Sequence, residues 1–258
     1  MPNFPTHLIA VSHYHQAPGI QPRPSDLQRG VQIVEILTGG RGWIWHEEHW
    51  REVRAGDFLW HEVGERTISR SDESDPYRCL AIRFQMPHSA VRQTPRVLFW
   101  QDLEKLDAFT REAVTLFVDE TFPRDVLAHY LYAVLLREAC DHTRRSQAEN
   151  LPPAIQRVIR HVQQHYASPL PVSELAAIAG WSIPHLHVKL TEVLGTSPHG
   201  LVLTHRLRAA RERLASTSDP LKQIAADCGF PHASALCHHF RKATGLTPSA
   251  FRQKALHS

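Results

Sequence analysis

The strongest constraint on this chain is a repeat inside its second half. Residues 174–198, ELAAIAGWSIPHLHVKLTEVLGTSP, overlay residues 223–248, QIAADCGFPHASALCHHFRKATGLTP. Leu175, Ala176, Gly180 and Trp181 correspond to Ile224, Ala225, Gly229 and Phe230 at an offset of 49. Leu186, Leu190, Gly195 and Pro198 correspond to Leu236, Phe240, Gly245 and Pro248 at an offset of 50. The extra residue falls just after the aromatic, where a turn absorbs an insertion without disturbing either flanking helix. Each copy predicts a short helix, a glycine that leaves it at positive φ, and a second helix with one buried i,i+4 pair. The opposite face of that second helix is left free. It carries Ser182, Pro184, His185, His187, Val188 and Thr191 in the first copy, and His232, Ser234, Cys237, His238, Arg241 and Lys242 in the second. Such a plan lets the second helix lie in the major groove of double-stranded DNA, which makes these side chains, Val188 apart, the candidate DNA contacts. The bland alternative is two helical hairpins that merely pack.

Charge alone only slightly favours nucleic acid over a basic solvated face. Of the 258 residues, 1–150 hold 17 Lys and Arg against 21 Asp and Glu, or −4, whereas 151–258 hold 12 against 5, or +7. Only the second half is placed to meet a polyanion, and two in-frame copies on a basic background favour nucleic acid over inert packing.

The second half also resembles a known family. Residues 151–258 are similar to the AraC/XylS-type DNA-binding domain, the most diagnostic stretch being IAADCGFPHASALCHHFRKATGLTPSAFR in the second copy. PHGLVLTHRLRAARERLAS resembles the family's long connecting helix. The resemblance implies two helix-turn-helix motifs joined by that helix. It also implies departures: Leu236 replaces an aromatic, Val188 and Thr191 stand where basic residues are common, and His238 replaces a common Arg. The first recognition helix is thus expected to rely less on charged clamps to phosphate.

The first half reads differently. Segments 31–37, 42–50, 58–63, 66–70 and 78–84 are short strand candidates separated by Gly, Asp and Pro turns, the signature of an all-β sandwich or small barrel. From Asp102 the apolar period becomes helical, and a second helix is expected over about 124–142. LTGGRGWIW, RAGDFLWHEVGE and CLAIRFQM loosely resemble the cupin-type sensor domain that often precedes an AraC-type domain. The expected architecture is therefore an N-terminal all-β cupin-like barrel followed by two helices (1–145), a linker (146–152), and an all-α domain with two helix-turn-helix motifs joined by a long helix (153–258).

Metal chemistry is not expected in the first domain. A metal cupin wants His-x-His, then Glu, then a later His; here the run is His46-Glu47-Glu48-His49, with Thr67 where the later His would fall. His13 and His15, two apart, are read as surface or pocket histidines. No cofactor is called for. Five of the six tryptophans lie in this half, and the resemblance implies a small-molecule effector, a sugar being one candidate. Trp43, Trp45, His46, His61, Glu62, Arg66 and Arg83 are the expected ligand-binding residues. Alternation puts Trp43 and Trp45 on one face of their strand and Ile44 and His46 on the other. In the second helix Leu127, Tyr130, Leu131, Val134 and Glu138 form a stripe that could pack on its own barrel or serve a homodimer.

The reading that follows is a cytoplasmic regulator of transcription that binds promoter DNA, with RNA polymerase as a further partner if it activates. The N-terminus has no signal-peptide pattern, no apolar run is long enough for a membrane span, and Cys79, Cys140, Cys228 and Cys237 form no CxxC pair, which suits a reducing compartment. The competing readings are a metal-dependent cupin enzyme fused to a DNA-binding domain, and a regulator whose first domain only dimerises.

Overall fold

The computed structural model describes residues 4–256. The chain divides into two compact units, residues 1–146 and 147–258.

In the first unit, β1 (His7–His15), β2 (Val31–Gly39), β5 (Asp57–His61), β7 (Arg78–Gln85) and β8 (Val97–Phe99) form an antiparallel sheet in the order β1-β7-β2-β5-β8. The strands β3 (Arg41–His46), β4 (His49–Arg54) and β6 (Arg70–Ser71) form a second sheet in the order β4-β3-β6. These are two sheets and not the closed barrel expected from the sequence, because no strand ladder among the described residues joins one sheet to the other. The chain changes sheet at Gly39-Gly40, where Gly40 is left-handed at φ 69°.

Side-chain alternation gives the large sheet two buried faces. Val34, Ile36, Phe58, Trp60, Leu80 and Ile82 pack against α1 (Leu103–Val118) and α2 (Arg124–Glu149). On the other face Leu37, Leu59 and Cys79 meet Ile44 and Val53 of the small sheet. Burial on both sides accounts for the nearly unbroken apolar run of β2, VQIVEILTG.

Three expectations are corrected here. Segment 42–50 is not one strand: it is a hairpin folding back at Glu47 and Glu48, which adopt φ 47° and 64°. Left-handed geometry at both central positions is the type I′ turn, which Asn-Gly or Asp-Gly usually announces; two glutamates give no such signal. The polar stretch 143–149, read as mostly linker, is the last part of α2. It contains no Gly or Pro, and Arg, Gln, Ala and Glu all propagate a helix. The expected dimer stripe is largely spent on the unit's own core: Leu127 and Leu131 are fully buried and Val134 packs against the same cluster. Tyr130, 38% exposed, donates its hydroxyl to Glu112 at 2.9 Å, and Glu138 accepts from its neighbour Arg137. No helix among the described residues is long and apolar enough to cross a membrane.

The second unit is helical: α3 (Pro153–His165), α4 (Val172–Ala179), α5 (Ile183–Leu194), α6 (Pro198–Ser216), α7 (Leu221–Asp227), α8 (Ala233–Thr244) and α9 (Pro248–Leu256). It has two cores. One gathers Ile155, Val158 and Val162 of α3, Leu175 of α4, Leu186 and Leu190 of α5, and Leu201 and Val202 of α6. The other gathers Leu207, Ala210 and Leu214 of the same α6 with Ile224, Phe230, Leu236 and Phe240. The long helix is therefore shared, one half in each core.

The two turn glycines differ in one respect. Gly180 and Gly229 both sit at positive φ, 74° and 78°. A Cβ on Gly180 would meet nothing within 4 Å, whereas one on Gly229 would lie 2.7 Å from the Ala167 carbonyl oxygen and 2.8 Å from that of Tyr166. Gly180→Ala should cost about 1 kcal/mol from backbone strain alone. Gly229→Ala should cost roughly twice that or more, because two backbone carbonyls must also move. Hydrogen exchange of residues 147–258 in the full chain checks the order; equal losses of protection would contradict it.

Candidate nucleic-acid interface

The repeat is matched cap for cap. In the first copy the Trp181 and Gly180 amides donate to the Ala176 and Ala177 carbonyls at 2.9 and 3.0 Å; in the second, Phe230 and Gly229 donate to Ala225 and Ala226 at 2.8 and 3.0 Å. Each is the paired closure of a helix that ends on a left-handed glycine. The next helix starts on a side-chain cap in both copies: Ser182 Oγ accepts from the His185 amide, and His232 Nδ1 from the Ala235 amide at 3.1 Å. It ends on Gly195 in one and Gly245 in the other, both left-handed. Ser197 and Thr247 then cap the following helices, with Pro198 and Pro248 buried at their first turns. The extra residue of the second copy is Pro231, in the turn.

These caps hold α5 and α8 with Leu186, Leu190, Leu236 and Phe240 inward. The outward faces differ in chemistry. On α5, Ser182, Pro184, His185, Val188 and Thr191 are exposed and His187 is half-buried. The Thr191 hydroxyl is spent on the His187 carbonyl, 2.9 Å away. Lys189, the one Lys or Arg of this helix, is paired with Glu192 at 2.8 Å. Two apolar side chains stand out instead: Val188, 53% exposed, and Ile183, 44% exposed, which the sequence reading had not singled out. On α8, His232, Ser234, His238, Arg241 and Lys242 are exposed and Cys237 is half-buried. Arg241 and Lys242 enter none of the ion pairs among the described residues.

His232 has a structural task as well as a position in the expected contact set. Its Nδ1 takes hydrogen bonds from the Ala235 amide and the Ser234 hydroxyl, which leaves the proton on Nε2, directed away from the cap. One imidazole thus closes the helix and presents a donor.

The seven expected ligand-binding residues of the first unit do not converge. Trp43 is half-buried and Trp45 is 48% exposed; both lie on the outer face of the small sheet, beside Trp50. Ile44 is buried on the other face, as alternation requires. Half-buried His46 faces only Glu47, at 3.7 Å. Exposed Arg66 reaches Asp26, and Glu62 accepts from the Arg92 amide. His61 is fully buried and bonded to Glu35 at 3.0 Å. Four of the seven divide among three cavities: Arg83 lines one of about 520 Å³ over β1, β7 and β2, covered by residues 16–25 and 67–68, Trp43 lines one of about 560 Å³, and Trp45 and Arg66 line one of about 820 Å³. The other polar walls of the first cavity, Glu35 foremost, were not in the expected set. No three His, Cys, Asp or Glu side chains converge as metal ligands among the described residues.

Two short helix pairs, each with a side-chain-capped second helix turned outward and joined by one long helix, make up a helical unit of the kind a helix-turn-helix domain requires. Comparison with known proteins shows what this unit is similar to. Residues 175–254 match the model of a helix-turn-helix domain. An HTH-type transcriptional regulator of Staphylococcus aureus strain COL is 33% identical over 98 residues, 38% of this chain and 13% of that protein. The probable transcriptional regulator LumQ of Photobacterium leiognathi is 29% identical over 92 residues, 36% of this chain and 37% of the relative. This chain therefore spans well under half the length of either. A solved transcriptional regulator from Chromobacterium violaceum, described as having an AraC-type DNA-binding domain, matches at 27% identity and a TM-score of 0.39 over 40% of this chain and 92% of that one. Residues 175–254 of the second unit are thus similar to a helix-turn-helix domain of the kind found in transcriptional regulators.

The dual role of His232 is testable. His232→Ala should destabilise the first turn of α8 by about 1 kcal/mol, the usual cost of a lost cap. Its amide hydrogens should then exchange about fivefold faster, and His232→Asn, which keeps a cap, should restore the slow rate. Equal exchange in all three proteins would show that the imidazole does not hold the helix.

Proposed function

We propose that the protein is a sequence-specific regulator of transcription that binds double-stranded promoter DNA through α5 and α8 and answers to a small molecule through its first unit. The observation that carries the reading is the cap-for-cap repeat, which turns two helix faces outward on a basic domain. Packing alone would not require the second helix of both copies to keep an unpartnered face. In this reading α5 and α8 enter successive major-groove segments on one side of the duplex, about 34 Å apart. α6 sets the separation. Ser182, His185, His187 and Thr191 lie with Val188 on the first groove-facing surface, and His232, Ser234, His238, Arg241 and Lys242 on the second. RNA polymerase is the further partner if the protein activates. Because the stripe on α2 is largely buried, a homodimer would form through some other face.

The two helices should read DNA by different chemistry. Arg241, near the end of α8, is placed to meet phosphate, so Arg241→Ala should weaken binding to all sequences alike. It should also reduce the slope of log affinity against log salt by about 0.9, the counterion-release value for one phosphate contact. Anisotropy titrations at several salt concentrations decide this. An unchanged slope would remove Arg241 from the backbone contacts.

On α5 Val188 is an exposed apolar side chain beside the imidazoles of His185 and His187, and an apolar side chain in the major groove recognises the thymine methyl group. Replacing thymine by deoxyuracil in the half-site bound by α5 should weaken the wild-type protein about fourfold at one position, the worth of roughly one buried methyl. Val188→Ala should make the protein indifferent to that replacement. Wild-type binding indifferent to every deoxyuracil substitution would contradict the assignment.

A further inference from the structure

One cavity of the first unit is lined by three charged residues, Glu35, Arg83 and Arg23, that form no ion pair with one another among those described. Part of its polar wall is already spent. Tyr14 donates to Gln16 at 2.8 Å, and Gln16 donates on to the Ile20 carbonyl. Thr67 Oγ1 accepts the Ser25 amide, and Gln21 bonds the backbone of Ser71. What remains are Glu35, Arg83 toward the rim, exposed Arg23 in the covering segment, and the hydroxyl side chains of Ser12 and Tyr77.

Glu35 is the acidic residue of a strand otherwise built for burial, and its side chain is nine-tenths buried. Both of its described hydrogen bonds end on one oxygen: Oε2 accepts the Ile68 amide and His61 Nε2, each at 3.0 Å. Oε1 takes none. Arg96, which can only donate, approaches His61 Nδ1 at 3.5 Å, so that nitrogen is the acceptor and the proton sits on Nε2. His61 donates to the carboxylate, and the Arg96 guanidinium behind it is near enough for its charge to interact with that of Glu35. A carboxylate held in this way, with one oxygen open to a cavity, is costly until a donor or a cation reaches it.

Arg83 provides the opposite pole. Glu35 pairs with Ala81 across β2 and β7, and Arg83 lies two residues further along β7 on the same face. Such diagonal neighbours are about 7–8 Å apart at the backbone. The two charges are close enough to act on one small molecule, yet they form no ion pair with each other among those described. Between them the wall is apolar, from Ile33, Ile68 and Cys79.

We infer that this cavity binds a small zwitterion of the amino-acid class, its ammonium group on Glu35 Oε1 and its carboxylate on Arg83, with an apolar side chain against Ile33 and Ile68. The inference rests on the reading of the first unit as a sensor and names the chemistry sensed. Trp43 and Trp45, on the outer face of the small sheet, take no part.

The full-length protein should be screened by thermal shift and isothermal titration against the twenty common L-amino acids and the apolar members' amides and N-acetyl derivatives. Glucose and arabinose serve as neutral controls. At least one apolar amino acid should raise the melting temperature, and its amide and N-acetyl forms should bind at least tenfold more weakly. Glu35→Gln, which still accepts from Ile68 and His61, should lower affinity for the amino acid and its amide alike by tenfold or more. Exposed Arg83→Gln should abolish the preference for the amino acid over its amide. Both variants should bind promoter DNA as the wild type does, which separates failure of this inference from failure of the DNA-binding reading and checks that they fold. If no amino acid binds, if a neutral sugar binds and Glu35→Gln leaves it unaffected, or if the amide binds as tightly as the free acid, the inference is overturned.

Discussion

One helix belonging to two cores holds the DNA-binding unit in register. Leu201 and Val202 of α6 are buried with the first helix pair, and Leu207, Ala210 and Leu214 of the same helix with the second. At 1.5 Å per residue, the centres of these two sets lie about 14 Å apart on a rigid rod. Neither pair can shift along the rod without breaking its own core. Arg206 sits between the two sets and donates to the Tyr166 and Ser168 carbonyls at 2.7 and 2.9 Å, which ties the rod to the end of α3. Gly229 lies against the same loop, next to the Tyr166 and Ala167 carbonyls. The spacing of α5 and α8 thus depends on three neighbouring features: a shared helix, a partly buried guanidinium and a glycine that cannot carry a side chain. Burial pushes the Arg206 guanidinium below its ordinary range.

Fixed spacing allows the two outward faces to differ. α8 carries unpaired cations and can supply backbone attraction, which is long-ranged and indifferent to sequence. α5 has its lysine neutralised by Glu192 and offers Val188 and Ile183, whose contacts count only where a methyl group meets them. A weakly charged reader tethered to a basic one gains from the effective concentration that the tether supplies.

The helical unit was legible because its signals are local. Gly180, Gly229, Gly195 and Gly245 mark helix ends, and Ser182 and Ser197 mark helix starts. The 49-to-50 shift in offset fell in a turn, at Pro231. The β unit was less legible because its decisive features are not local. The hairpin at Glu47-Glu48 lacks the Asn or Gly that would announce it, and whether strands close a barrel depends on pairings between distant segments. The expected pocket leaned on tryptophans, which alternation puts on the outer face. The better signal was a single carboxylate in VQIVEILTG: a lone charge in a strand buried on both faces needs a reason, and the reason is found only when β2, β7 and the segment at Ile68 are brought together. The stripe on α2 packs on its own unit, which was one of its two expected uses; periodicity identifies an apolar face without saying which neighbours cover it.

The central claim is that one chain reads two successive major-groove segments from one side of the duplex, at a spacing fixed by α6. Hydroxyl-radical footprinting of the full-length protein on its promoter tests this most directly. The account predicts two protected patches on the same helical face, one turn (about 10 base pairs) apart. A single patch, or two patches on opposite faces, would contradict it.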